Sequence, residues 1–194
     1  MKCLLAGLVG GIDEAGRGPL AGPVVSSCVV WQYMPRDTKG VIDSKLLGEP
    51  DRVRLFSWIL ENASRVGIGM ASHEEIDRIN ILRASLLSME RALIATGVMP
   101  ALILVDGNHS LNDHPQAKAV VKGDRKCFYI ASASIIAKVV RDRIMDAYHL
   151  VYPQYDFNKH KGYPTKGHKL AIARHGVSPI HRKTFRGVRE YCAE

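Results

Sequence analysis

Residues 11–25 read GIDEAGRGPLAGPVV. An apolar approach ends in two adjacent acids, Asp13 and Glu14, and a glycine-bracketed cation, Gly16-Arg17-Gly18, follows at once. The apolar run on each side, over 4–13 and 23–31, predicts two strands joined by a Gly/Pro-rich connection. Two acids at a strand end are costly unless something positive meets them. Glycines let a backbone approach a ligand closely and present its N–H groups, and an arginine can fork onto a phosphate.

Downstream, strands begin to alternate with helices. Pro50 opens a helix with Val53, Phe56, Ile59 or Leu60, and Ala63 at helical spacing. RVGIGMAS, from 65, reads as a short strand, and Ser72 with Glu75 fits a capping box. A helix from Asn80 carries Leu82, Leu86, Met89 and Leu93 on one face and stops at Gly97. ALILVDG (101–107) is a buried strand ending in Asp106, and AKAVVKGD (117–124) a strand ending in Asp124. A helix over 130–148 runs a stripe through Ile130, Ser134, Ala137, Arg141, Ile144 and Tyr148, and Thr165 caps a last helix closed by Gly176. This order predicts an α/β protein, a mixed sheet with helices packed on it, in a single domain over 1–194 whose basic C-terminal part, 150–194, is a helical extension.

Charge is segregated along the chain. Its 194 residues carry a net +8. Residues 1–117 hold 11 Lys and Arg against 13 Asp and Glu, while 118–194 hold 16 against 6. From Phe157 to Arg189 there is no acid, only nine Lys or Arg and four His. A one-sided basic field suits a polyanion such as nucleic acid. His160, His168, His175 and His181 read as phosphate contacts or a solvated face, since zinc would need closer spacing and cysteines. Cys3, Cys28, Cys127 and Cys192 form no CxxC pair, which argues against a disulfide framework or zinc site. No stretch is long and apolar enough to span a bilayer. The N-terminal apolar run meets Asp13 before any convincing cleavage site and reads as a strand, so a cytoplasmic protein is expected.

Asp13, Glu14, Asp106 and Asp124 all stand at strand ends, where α/β sheets gather their sites. Carboxylates brought together there repel unless a cation neutralises them, and oxygen donors favour Mg²⁺ or Mn²⁺. Two such ions are a usual clamp for phosphodiester cleavage. Neighbouring strand residues point to opposite faces, so Asp13 and Glu14 share a site only if the strand twists or ends between them. The alternative is that the acids are turn residues, weakest for Asp106 and evenly balanced for Asp124. Lys45 and Lys138 could meet phosphates, with Lys138 read first as a helix-surface charge.

GIDEAGRGPLAGPVV, IDSKLL (42–47), LVDGNH (104–109), VVKGD (120–124), IASASIIAKVVRD (130–142) and HKGYPTKGH…HGVSPIHRKTF (160–185) resemble, in order, the motifs of bacterial ribonuclease HII, the type 2 ribonuclease H. IASASI differs from the more usual ISAASI, and Cys127-Phe128-Tyr129 replaces a Val-Pro type of segment. The resemblance implies a ribonuclease H-like fold with a central five-stranded mixed sheet. It also implies Mg²⁺- or Mn²⁺-dependent cleavage of RNA in RNA/DNA hybrids and at single ribonucleotides in duplex DNA. Cleavage would fall on the 5′ side of the ribonucleotide by two-metal-ion hydrolysis, leaving 3′-hydroxyl and 5′-phosphate ends, in ribonucleotide removal during DNA repair or replication. Carried over by position, Asp13, Glu14, Asp106 and Asp124 would be the catalytic, metal-binding acids. Gly16, Arg17 and Gly18 would read the 2′-hydroxyl through backbone contacts, Tyr163 would pack on the sugar, and Lys45 would bind substrate. A monomer acting on ribonucleotide-containing duplexes is expected. The alternatives are a ribonuclease of the HIII type, preferring longer RNA stretches, and a non-catalytic hybrid-binding protein.

Overall fold

The computed structural model describes residues 7–41, 44 and 47–192; Lys45 and most of the IDSKLL motif lie outside the described residues. Its framework is a five-stranded sheet in the order β3-β2-β1-β4-β5. Strand β1 (Val9–Ala15) runs antiparallel to β2 (Val24–Trp31), which pairs antiparallel with β3 (Arg65–Ala71). On its other side β1 runs parallel to β4 (Leu102–Asp106), which pairs parallel with β5 (Ala117–Val120). The sheet is therefore mixed, as expected. The β1–β4 pairing ends at Ile12 opposite Val105, so the two next residues, Asp13 and Asp106, stand side by side where these strands part, Asp13 still paired with β2 and Asp106 with β5.

Side chains alternate across the sheet and sort its two faces. Ile12, Cys28, Val30, Ile103 and Val105 turn to one face and meet Met89, Ala92 and Leu93 of α3 (Ile81–Ala95). Val29 and Trp31 turn to the other, against α1 (Glu49–Asn62) and α4 (Phe128–Val151). Gly11 sits under the first turn of α4, where a Cβ would collide with the Tyr129 carbonyl. That close approach lays α4 directly on β1, next to Asp13. Between β3 and α3, helix α2 (His73–Ile79) is started by the expected capping box of Ser72 and Glu75.

Beyond α4 the chain forms α5 (Phe157–His160) and α6 (Lys166–His175), which Thr165 caps through the His168 amide. A separate apolar cluster holds this region: Leu20 and Ala21 from the β1–β2 connection pack with Met145, Tyr155, Phe157, Ile172, Ile180 and Val188. Ala21 also bridges to His181. The C-terminal region thus closes over the glycine-rich connection. No helix among the described residues is long and apolar enough to cross a membrane.

Two helical faces differ from the sequence reading. In α1 the buried positions are Leu55, Phe56 and Ile59, while Val53 and Leu60 are exposed. In α4 the buried position after Arg141 is Met145 rather than Ile144, and it packs with the stripe's Tyr148 in the C-terminal cluster. Asp124 does not end a strand: β5 stops at Val120, Lys122 adopts a left-handed conformation (φ 56°), and Asp124 lies in a 3₁₀ turn.

Candidate active site

Parallel pairing of β1 and β4 and the turn after β5 bring three acids to one point. Asp13, Asp106 and Asp124 each offer an oxygen, and these oxygens lie within 4.8 Å of one another. Asp13 and Asp124 are buried. The Gly123 N–H donates to Asp106 Oδ1 at 2.6 Å, so the turn that supplies Asp124 also orients Asp106.

The electrostatics are those of an anion held against its preference. Burial, then the charges of Glu14 and Asp106, push the Asp13 carboxyl well above the usual carboxylate range. The Glu14 N–H, at 2.7 Å from Oδ1, and the Ser134 hydroxyl favour its ionised form. Ser134 Oγ in turn stands 2.8 Å from Ser44 Oγ, so a hydroxyl pair from α4 and the β2–α1 connection braces the carboxylate. The donor set is all carboxylate oxygen, which fits a hard divalent ion such as Mg²⁺ or Mn²⁺.

Glu14 lies beside this set and outside it. Its Oε1 is 3.4 Å from Arg17 Nη1. Burial raises its pKa, Arg17 opposes the rise, and the charge of Asp106 adds to it, so Glu14 feels the cluster without belonging to it. Strand alternation explains the separation.

A cavity of about 210 Å³ adjoins the acids, lined by Glu14, the Gly16-Arg17-Gly18 turn, Ser44, Ser134, Lys138 and Tyr163. Tyr163 is 41% exposed and forms one wall; a Cβ on Gly18 would stand 3.7 Å from its ring. Lys138 pairs with Asp142 at 2.6 Å and faces the cavity, so it is not the plain surface charge the sequence suggests. From Gly18 a more open groove of about 620 Å³ continues past Leu20, Pro164, Lys169, Phe185 and Arg186.

Two buried arginines hold the glycine turn in shape, and sequence reasoning gave them no such part. Arg182 donates from Nη2 to the Gly16 carbonyl at 2.6 Å, from Nη1 to Arg17 at 3.0 Å and from Nε to Gly22 at 3.0 Å. Arg141 bonds the carbonyls of Pro23, Lys161 and Ala21. Burial lowers their pKa values to about 9 and about 10. Gly16 (φ 101°) has no room for a side chain, since a Cβ would collide with Arg141 Nε. A run of carbonyls left without strand partners was the available signal: a glycine-rich loop needs donors from elsewhere, and buried arginines supply five each.

The histidines also depart from expectation. His168 and His181 are fully buried and His160 is half-buried, so these three do not form a solvated or phosphate-facing row. His175 is exposed, at the end of α6.

A family model described as Ribonuclease HII matches residues 10–188. A ribonuclease HII of Shewanella pealeana is 49% identical over 191 residues, which are 98% of this chain and 93% of the relative. One of Clostridioides difficile is 51% identical over 179 residues, 91% of this chain and 69% of that protein. Among solved structures, the ribonuclease H2 of Pyrococcus horikoshii superposes with a TM-score of 0.76 at 28% identity, covering 95% of this chain and 96% of that one. The sheet is thus that of the ribonuclease H-like fold, and the chain belongs to the ribonuclease HII family, a group of ribonuclease H hydrolases.

Proposed function

We propose that this chain is an endonuclease that cuts on the 5′ side of ribonucleotides in RNA/DNA hybrids and at single ribonucleotides in duplex DNA. It would leave 3′-hydroxyl and 5′-phosphate ends, as one catalytic unit over 1–194, acting as a cytoplasmic monomer in ribonucleotide removal. The observation that carries the reading is the meeting of Asp13, Asp106 and Asp124 beside a cavity walled by the Gly16-Arg17-Gly18 turn and Tyr163.

Asp13, Asp106 and Asp124, with Glu14 at their side, would hold Mg²⁺ or Mn²⁺. Bound there, divalent ions supply Lewis acidity to a phosphodiester hydrolysis. The chain's own residues do the rest. Ser134 and the Glu14 amide keep Asp13 in one orientation. Arg17, half-exposed and joined to Glu14 by a long contact, can turn to a phosphate. Lys138 adds positive charge to the cavity lining.

Selection for RNA rests on the 2′-hydroxyl, the group that distinguishes ribose from deoxyribose at one position. A glycine backbone held at close range can bond that hydroxyl, and a deoxyribose would leave the same backbone groups unpaired. Tyr163 offers a flat apolar face for the sugar with a polar tip. The groove past Lys169 and Arg186 and the acid-free tract from Phe157 to Arg189 suit the phosphates of a duplex.

The test is incubation with Mg²⁺, and separately Mn²⁺, of three labelled duplexes: all-DNA, DNA with one ribonucleotide, and RNA/DNA hybrid. Cutting on the 5′ side of the lone ribonucleotide and silence on all-DNA is the expected result. Cutting only within runs of ribonucleotides indicates the HIII type of specificity, and binding without cutting defeats the enzymatic reading.

A further inference from the structure

Three imidazoles of the basic tract form a row behind Tyr163. His168 and His181 are fully buried, and the ring of His160 stacks on His168 with centroids 4.4 Å apart. Each ring nitrogen in the row has a partner that settles where the proton resides. The Ser178 N–H can only donate, and it meets His181 Nδ1 at 2.8 Å. Nδ1 therefore accepts, and the His181 proton sits on Nε2. That N–H faces His168 Nε2 at 3.1 Å, which must accept. His168 is left with its proton on Nδ1, 3.0 Å from the Tyr163 carbonyl. His160 is settled in the same way: Nδ1 accepts from the Gly162 N–H at 3.2 Å, and Nε2 donates to the Tyr155 carbonyl at 2.7 Å. The Tyr163 N–H bonds the His160 carbonyl at 2.9 Å. Tyr163 is therefore held at its carbonyl by the His168 imidazole and the Thr165 N–H and at its N–H by the His160 backbone, while the His160 ring takes the preceding Gly162 N–H.

We propose that Ser178, His181 and His168 are positioning residues for Tyr163, a one-way relay of N–H bonds that fixes the sugar-facing wall and so sets the preference for a ribonucleotide. The proposal rests on the ribonuclease reading of the cavity. Aromatic neighbours enclose the relay: Phe157 lies 5.5 Å from His168, and Tyr155 lies 5.0 Å from His181, centroid to centroid. The titratable groups whose charge bears on the pair are His160, on both rings, and His73, on His181. Burial first, and then these like neighbours, lower both pKa values to about 4. A proton added at His168 Nε2 would oppose two N–H groups, and one added at His181 Nδ1 would face the Ser178 N–H. Only the neutral row is consistent with its own contacts.

The first readout is spectroscopic and needs no activity. Long-range ¹⁵N–¹H correlation on the wild-type protein at pH 6.5 should show neutral His168 as the Nδ1–H tautomer and His181 as Nε2–H. An imidazolium at either site, or His168 as Nε2–H, overturns the relay whatever the enzyme does. The second readout is kinetic. His168→Gln moves the amide away from the Nδ1 position and leaves the Tyr163 carbonyl with the Thr165 N–H, at 2.8 Å, but not its imidazole donor; His168→Asn restores a side-chain donor there. The Gln variant should lose about ten- to a hundredfold in kcat/KM on a one-ribonucleotide duplex, mainly through KM. The Asn variant should recover to within about threefold of wild type, because the lost donor is back. Equal ribonucleotide preference in the Gln variant and wild type overturns the proposal. Should the Gln variant not fold, His181→Asn keeps the acceptor for Ser178, removes the donor to His168, and is read in the same assay. A wild-type chain with the expected tautomers that cuts neither ribonucleotide duplex nor hybrid sinks the functional reading, and with it the kinetic role, and leaves only the structural relay.

Discussion

The guanidinium of Arg182 meets the carbonyl of Gly16 at 2.6 Å across 166 positions of sequence. The same planar fork takes the carbonyls of Arg17 and Gly22. The loop that faces the acids is thus curled around a cation contributed by the far end of the chain. Such a loop lacks strand partners for its carbonyls, and each buried carbonyl without a donor is costly. One arginine satisfies three of them at angles a single ammonium could not reach.

Arg182→Met removes all three donors from a fully buried site. We expect a loss of about 3 kcal/mol or more in urea unfolding, the scale of unpaired buried carbonyls and lost charge-assisted bonds. Arg182→Lys keeps the charge and loses the fork, so it should unfold earlier than wild type and cut a one-ribonucleotide duplex at least about tenfold more slowly. Wild-type behaviour of the lysine variant would show that charge, rather than the three-way geometry, is what the loop needs.

Asp13→Asn separates metal chemistry from folding. The buried carboxylate is opposed by Glu14 and Asp106, so a neutral amide of the same shape should raise the melting temperature of the metal-free protein. Cleavage should fall at least about a hundredfold, the scale of one lost catalytic group. Added Mn²⁺ should raise the wild-type Tm and leave the variant nearly unmoved, by linkage of binding to stability. A variant that still gains stability from Mn²⁺ and still cuts would remove Asp13 from the metal site.

Local signals in the sequence went as far as their physics allows. Strands β1 and β2, the capping box at Ser72, the Thr165 cap and the acids at strand ends are written in short windows of pattern and turn chemistry. The meeting of Asp13 with Asp106 was legible because both acids stand at strand ends, where α/β sheets gather their sites. Glu14 was not, since alternation alone leaves open whether a strand end twists. Asp124 was read as the end of a strand, and a left-handed Lys122 carried it into a separate turn instead. Arg182, His168 and His181 looked like members of a basic surface tract. Their burial depends on the C-terminal region folding back over Leu20 and Ala21, a long-range contact that no window of composition contains. Val53 and Leu60 fit a helical period as well as Leu55 did, and only the packing of α1 against α4 chose between faces.

Gly16→Ala tests the turn itself. The residue holds φ 101°, a region an L side chain rarely adopts, and its Cβ would strike Arg141 Nε. Strain and displacement of a buried guanidinium together should cost about 2 kcal/mol or more in denaturant unfolding. The same change should lower kcat/KM on the one-ribonucleotide duplex more than it weakens binding to plain duplex DNA. Equal losses on both would mean that the turn serves the fold and not the reading of ribose.

The buried histidines predict an acid dependence of stability with a definite sign. His168 and His181 are held neutral with pKa values of about 4, against about 6.5 in an unfolded chain. Between those values the unfolded state binds more protons, so the contribution is fully present above pH 6.5 and is lost as pH falls toward 4. From pH 7 to pH 5 the loss is about 2 kcal/mol per ring by linkage, an order-of-magnitude figure for two rings in contact. Urea unfolding at both pH values checks it in the wild type and in a His168→Asn/His181→Asn double variant, whose amides do not titrate. The double variant should start less stable at pH 7, through lost packing against Phe157 and Tyr155, and should lose distinctly less on acidification. Parallel losses in the two proteins would assign the acid sensitivity to other groups and place these imidazoles outside it.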